Sequence, residues 1–541
     1  MSQQRYLLFF ALLVAYLTVF FQLGELSFIG ADEPRYARIA EEMLNSGNYT
    51  TPTLDSFPWL EKPPLLYWLQ ALSFRLCGVS EGAARLPVAI LGILCALCVG
   101  GFALAVSGTR AGILTFLILM SSGLFFIFAR AGTTDMPLTA CLSLALVCGF
   151  RATTSRNLLW SLGWGFCLGA ATLAKGPLAL VLFGGIFAFY FLWVETFGWR
   201  WKHLFLGLMT FLVTAAPWYW DVWVENGYHF IVTFWINHHL ARFMSDLHHH
   251  SQPVWFYLAV ILVGFFPWIP FLGITCSRLW RTRGDPELSR SEVFLWIWTA
   301  IPILFFSLSE SKLPGYILPV LPPLAVFVAL EWDRWLTGEV SMERSFRIVW
   351  IVLQGLALLM ATAIIVAVRT NYASYLGLWV ALPLLGGIVW GGREARMSRK
   401  SSAFLSVVVG MALAGALAFW HLAPVVEDYH SAHKLSKVAS PWLTQKRPLI
   451  LYRYFHHTAL YYTQYRSTRE AIPDMNSLHE YSARFPQSHY YLLTQEAGWT
   501  ELSVFPEARR LLHKGNLYLV RLPWEALSKE PLPPMTADSN S

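Results

Sequence analysis

About thirteen apolar runs, joined by short polar links, constrain this chain more than any other feature. They fall near residues 5–23, 85–106, 111–129, 135–150, 158–174, 177–194, 203–220, 254–275, 291–309, 314–330, 346–368, 373–391 and 402–423. A helix needs about 20 apolar residues to cross a bilayer, and no soluble core could bury this many. Hydrophobic residues make up 56% of the chain and charged ones only 13%, which excludes disorder and predicts a polytopic α-helical membrane protein. The net charge of +7 is no sign of nucleic acid, because cytoplasmic loops of membrane proteins collect Lys and Arg. No nucleic-acid partner is expected. Cys95 and Cys98 form a lone C-x-x-C within an apolar run; with no second ligand pair, it reads as packing.

The first run, from Tyr6 to Leu23, has no small-residue cleavage pattern behind it and reads as a retained span. Basic residues then set the sides. Arg110, Arg151, Arg156, Arg200, Lys202, Arg278, Arg281, Arg334, Arg347, Arg393 and Lys400 all fall in one set of alternate loops, which places those loops and the N-terminus in the cytoplasm. An odd count sends the tail outside. The expected organisation is a transmembrane domain over 1–425, with interfacial helices in two long external segments, 24–84 and 221–253. A small external α/β domain follows over 430–523, from the strand-like runs "PLILYRY", "SHYYLLT" and "NLYLVRL". Residues 524–541 read as a disordered tail.

On this topology the unusual polar residues share the external side. Asp32 and Glu33 follow the first run, and Glu61 and Lys62 lie in "FPWLEKPP". Two prolines cannot continue a helix, so that acid and base sit on a turn. Asp135 opens one apolar run and Lys175 closes another. His238, His239 and Arg242 lie in "NHHLARF", followed by the "DLHHH" tract, and Lys312 and Tyr316 lie in "SESKLPGY". Each has a plain explanation alone: lysines snorkel to headgroups, an exposed Glu–Lys pair is worth little, and a histidine tract is often a hydrated loop. Gathered at many helix ends on one face, they describe a cavity at the membrane–water boundary. Lys62, Lys175, Arg242 and Lys312 suit a phosphate. The carboxylates and histidines suit a divalent metal such as zinc or manganese. His238 and His239 diverge by about 100° on a helix, so at most one is a ligand. Trp59, Trp68, Trp218, Tyr219 and Trp220 suit a sugar-binding wall, or simply an interfacial belt.

The motifs "ADEPRYARIAEEML", "LEKPPLLYW", "TTDMP", "LAKGP", "HHLARF" and "SESKLPGYILP" resemble those of the bacterial lipid A aminoarabinose transferases, the ArnT family. These are membrane glycosyltransferases of the GT-C type, related to protein O-mannosyltransferases. The likeness runs from about residue 5 to residue 325. It implies a monomeric, inverting transferase in the bacterial inner membrane with its site and C-terminus in the periplasm. The donor would be undecaprenyl phosphate carrying 4-amino-4-deoxy-L-arabinose, and the acceptor a lipid A phosphate. Glu61 with His239, or with His238, would hold a divalent metal, zinc first. Lys62 and Arg242, with Lys312, Tyr316 and Lys175, would hold the carrier phosphate. Asp32, Asp135 and Glu33 would be catalytic. Where the family often reads Glu-His before its "xxRF" end, this chain has His238-His239, so an acid found elsewhere is missing. Two alternatives stand beside this: transfer of another polyprenyl-linked sugar, a hexosamine or mannose, to lipid A or protein, or a flippase for a lipid-linked sugar. A flippase would place polar residues at the midplane and on both faces.

Overall fold

A computed structural model describes residues 2–194, 199–241, 252–281, 290–338 and 343–528. The chain divides into two compact units, one of Met1–Glu25 with Ile39–Leu422, the other of Leu26–Arg38 with Ala423–Ser541. The first unit is helical throughout its apolar runs. Six helices are long and apolar enough to cross a membrane: Glu81–Ser107, Asp135–Thr154, Arg290–Leu308, Pro314–Thr337, Ser345–Tyr372 and Lys400–His430. Two further runs are bent pairs, Thr109–Met120 with Gly123–Arg130 at 68°, and Phe256–Gly264 with Ile269–Arg278 at 112°. Length and composition thus support six to eight spans among the described residues, against the thirteen apolar runs of the sequence. At the first bend, the hydroxyls of Ser121 and Ser122 turn back to the carbonyls of Leu117 and Ile118, competing with the helical ladder. At the second, Pro267 has no N–H to continue it.

The span Pro314–Thr337 is 94% buried and lies at the centre of the bundle, whereas Ser345–Tyr372 is only 22% buried and turns Leu358, Leu359 and Val366 outward. Outward apolar side chains of this kind are what a lipid-facing helix requires. Close packing elsewhere rests on small residues: a Cβ on Gly207 would lie 1.9 Å from the Trp164 ring, and one on Gly165 would lie 2.1 Å from the Gly207 carbonyl. Helices Leu159–Lys175 and Trp201–Phe230 therefore approach backbone to backbone. Two buried arginines finish the first helix. Arg130 donates to the Val19 carbonyl at 3.1 Å and Arg85 to that of Leu23 at 3.2 Å, satisfying C-terminal groups that a helix leaves unpaired.

The segment 221–253, expected to carry interfacial helices, is helical as far as Ala241; 242–251 lie outside the described residues. Trp201–Phe230 runs on past its apolar part, breaks at Gly227 with φ +53°, and continues as a π-helical stretch, Ile231–Ala241. Polar residues interrupt this segment in sequence, but Trp218, Val222, Phe230 and Phe234 bury one face of it.

The second unit is an α/β fold. Its four-stranded sheet runs Ile450–Leu451, His489–Gln495, Leu517–Pro523, Arg509–Lys514 in spatial order, with the first pair parallel and the rest antiparallel. Strand alternation gives it two cores. Ile450, Tyr490, Leu492, Val520 and Leu522 pack on one face, and Leu451, Leu493, Leu517 and Leu519 on the other. Leu26–Arg38 groups with this unit rather than with the spans. The Phe28 ring meets Tyr461 edge-on at 5.1 Å, its N–H donates to Tyr462 Oη at 2.8 Å, and Arg38 lies over the Tyr465 ring. Trp524–Ser528 is a helical turn that buries Ala526 and Leu527 in the core, so those residues do not belong to a tail; 529–541 lie outside the described residues.

Candidate functional site

The turn that carries Glu61 and Lys62 is built in three steps. Thr53–Leu54 pairs with Phe57–Pro58 as a minimal hairpin. Its two central residues, Asp55 and Ser56, have φ of 53° and 68°, the pattern of a type I′ turn. Glu42 clamps it, accepting from Thr53 Oγ1 at 2.7 Å, the Asp55 N–H at 2.8 Å and the Ser56 N–H at 3.1 Å. Pro64 then caps the helix Leu65–Cys77. Glu61 and Lys62 are left half-buried between clamp and helix.

Glu61 Oε1 lies 3.5 Å from His238 Nε2. Among the described residues the histidine beside the acid is His238; the side chain of His239, Arg242 and the histidine tract at 248–250 lie outside them. A carboxylate oxygen and an imidazole nitrogen at this separation are donors that zinc or manganese accepts. Among the described residues no third His, Cys, Asp or Glu joins them as a cluster.

Asp135 and Lys175 form a second group. Asp135 opens its helix and Lys175 ends another, so each charge sits at the helix end whose dipole favours it. Their side chains are ion-paired and only 16% and 10% exposed. The ammonium also lies over the Tyr316 ring, 4.4 Å from its centroid. A Cβ on Gly315 would lie 2.7 Å from the Asp135 carboxyl carbon, so glycine is what lets the loop close on it. The sequence reading gave Lys175 to a phosphate; here its charge is answered by Asp135. Lys312 is buried and donates to the Ser309 carbonyl at 2.5 Å, fastening its own turn.

One hydrophobic cluster joins these elements. Leu60, Leu173, Trp218, Val222, Phe230 and Phe234 are buried together. Leu60 precedes Glu61, Leu173 lies two residues before Lys175, and Phe234 lies one helical turn before His238. Three chemically interesting points of the chain are thus anchored on one apolar knot. Sequence reasoning missed this knot and Glu42, since neither carries a motif. Trp218 and Trp220 read in sequence either as a sugar-binding wall or as an interfacial belt. Trp218 is core, its Nε1 donating to the Thr50 carbonyl, and Trp220 is 63% exposed against Trp223.

Asp32 and Glu33 belong to the second unit. Asp32 pairs with Arg35, while Glu33 is buried with Oε2 3.5 Å from the Ile29 N–H. His457 of the same unit is pushed down to about 4 by burial, with Arg35 beside it, and burial also lowers His456 and His489. In the unfolded chain these imidazoles bind protons near the ordinary value of 6.5. Below that value the unfolded state holds more protons than the folded one, so stability falls as pH drops towards 4. Hydrogen exchange of the full-length protein across this window, corrected for intrinsic rates, should show His433–Ser528 losing protection, and His457→Gln should lessen the loss. Protection independent of pH in both proteins would contradict it.

Residues 61–220 match the family described as dolichyl-phosphate-mannose-protein mannosyltransferase. The undecaprenyl phosphate-alpha-4-amino-4-deoxy-L-arabinose arabinosyl transferase 2 of Proteus mirabilis is 31% identical over 321 residues, 58% of this chain and 57% of that protein. The corresponding transferase of Erwinia tasmaniensis is 31% identical over 340 residues, 61% of this chain and 60% of its own length. These matches span less than two thirds of either relative. The crystal structure of apo ArnT from Cupriavidus metallidurans superposes with a TM-score of 0.80 at 25% identity, covering 97% of this chain and 99% of that one. The chain has the ArnT fold. The same ArnT bound to undecaprenyl phosphate matches equally, at 0.80 and 24% identity. The resemblance read from the motifs is borne out, and this ArnT-like chain is a polytopic membrane protein of GT-C type with a small α/β unit.

Proposed function

We propose that this protein transfers 4-amino-4-deoxy-L-arabinose from undecaprenyl phosphate to a phosphate of lipid A, at the periplasmic face of the bacterial inner membrane. The observation that carries the reading is the end-to-end match to an ArnT whose structure holds undecaprenyl phosphate; it is supported by one apolar cluster whose members Leu60, Leu173 and Phe234 lie within four residues of Glu61, Lys62, Lys175 and His238 in the chain. In the reaction an acceptor phosphate oxygen bonds to the anomeric carbon from the face opposite the carrier. The anomeric C–O bond breaks, undecaprenyl phosphate leaves with the electron pair, and the configuration inverts. Negative charge grows on the leaving phosphate. Lys62 is assigned to that charge, where electrostatic stabilisation has most effect, and Arg242 shares the role. An acceptor phosphate is already anionic near neutral pH and needs no strong base, so Asp32 and Glu33 are assigned to orienting donor and acceptor. Asp135 is assigned to holding Lys175 and Tyr316 towards the carrier phosphate, with Lys312 fixing the turn before Tyr316. Glu61 and His238 are the residues that would hold a zinc ion, which when bound would supply further positive charge to the phosphate.

Mass spectrometry of lipid A from cells with and without the gene tests the reading. An aminopentose increment on phosphate, dependent on the gene, is expected. The match of residues 61–220 to protein mannosyltransferases favours a second reading, mannose transfer to protein. Lipid A unchanged by deletion, with loss of glycosylated periplasmic proteins, would select it.

A further inference from the structure

Three neighbouring strands of the C-terminal sheet set a row of basic side chains on one face. Arg509 and Arg521 are direct register partners across an antiparallel pair. His489, on the next strand, pairs with Pro523 and lies diagonal to Arg521. All three line a cavity of about 400 Å³, with Pro506, Glu507 and Pro523. Arg521 Nη2 is 2.6 Å from His489 Nε2. An arginine can only donate, so His489 is neutral there, with its proton on Nδ1. Like charges directly opposite across a strand pair repel. Among the described residues Arg521 Nε is buried with no hydrogen-bond partner. Arg447 also bears on His489, as does Glu525, so three arginines face two acids.

We infer that this cavity is a second anion site, built to hold a phosphate group. An oxygen placed between Arg509 and Arg521 accepts from both guanidinium forks and removes the repulsion. The planar fork, rather than charge alone, makes the site selective for phosphoryl oxygens. A phosphate monoester on a lipid headgroup and free inorganic phosphate share this chemistry. The inference goes beyond the transferase reading and does not need it.

The test uses the full chain in a Lys62→Ala background, which silences the proposed carrier-phosphate position. Radiolabelled inorganic phosphate is measured by equilibrium dialysis in detergent. Retention of phosphatidic acid from phosphatidylcholine nanodiscs doped with it is counted by mass spectrometry. Arg509→Gln/Arg521→Gln is expected to weaken binding by roughly 10-fold or more, the size of a lost charge-assisted hydrogen bond. Arg521→Lys, which keeps the charge and is milder to the fold, should fall between. Arg484→Gln, exposed and outside the cavity, should bind normally. An arginine-dependent loss with inorganic phosphate supports the site with a free ion as sufficient ligand; a loss confined to phosphatidic acid supports it with a headgroup. Absence of binding in both arms, or binding indifferent to Arg509 and Arg521, overturns it.

Discussion

Lys62→Ala is expected to lower sugar transfer by at least ~100-fold, the scale seen when a group stabilising transition-state charge is removed, while the protein still inserts and folds. The fold should survive because other residues hold the turn. Glu42 grips the hairpin at Thr53, Asp55 and Ser56, and Leu60 is buried with Leu173, Trp218 and Phe234. Neither device needs the ammonium. The loss should fall on kcat more than on KM, because charge on the carrier phosphate rises only as the anomeric bond breaks. Glu61→Ala should be comparably inactive, for a different reason: it removes the partner of His238. Initial rates with a defined polyprenyl-phosphate aminoarabinose donor and lipid A in nanodiscs would decide. Near-normal turnover in Lys62→Ala, with normal insertion, would remove Lys62 from the reacting centre.

Residue chemistry at the helix ends was legible in the sequence, but its partners were not. Asp135 and Lys175 each announced themselves as charges at the edge of an apolar run. Nothing in the intervening residues says that the two helix ends meet, so Lys175 read as a free cation for phosphate. Leu60, Leu173 and Phe234 were invisible for a simpler reason. In a chain with 56% hydrophobic residues, one more leucine or phenylalanine carries no signal of what it packs against. Glu42 sits beside Glu41 in an amphipathic helix, and sequence cannot tell a solvated acid from one folded back on a turn. The strands of the C-terminal unit were readable because period-two alternation is strong there, as in His489–Gln495. The attachment of Leu26–Arg38 to that unit was not, since contacts across so long a separation leave no local trace. Helix breaks at Ser121–Ser122 and at Pro267 were hidden because span counting weighs apolarity, which is unaffected by a bend.

Breaking the Asp135–Lys175 pair should destabilise the transmembrane unit by about 3–5 kcal/mol, because each single variant leaves a buried charge without its counter-ion. Asp135→Asn strands the Lys175 ammonium over the Tyr316 ring; Lys175→Met strands a carboxylate packed against Gly315. Both side chains are shielded, at 16% and 10% exposure, so solvent cannot repair the loss as it would at a surface. The double variant Asp135→Asn/Lys175→Met carries no orphan charge and should recover most of the stability, read as thermal unfolding and extraction yield from membranes. Transfer should not recover with it. If the pair only holds helices together, the double variant regains activity along with its fold, and Asp135 loses its place at the reacting centre. If it positions Tyr316 for the proposed carrier phosphate, a stable but inactive protein results. Singles as stable as wild type would mean that the two charges are not coupled, and the helix ends would need another explanation for meeting.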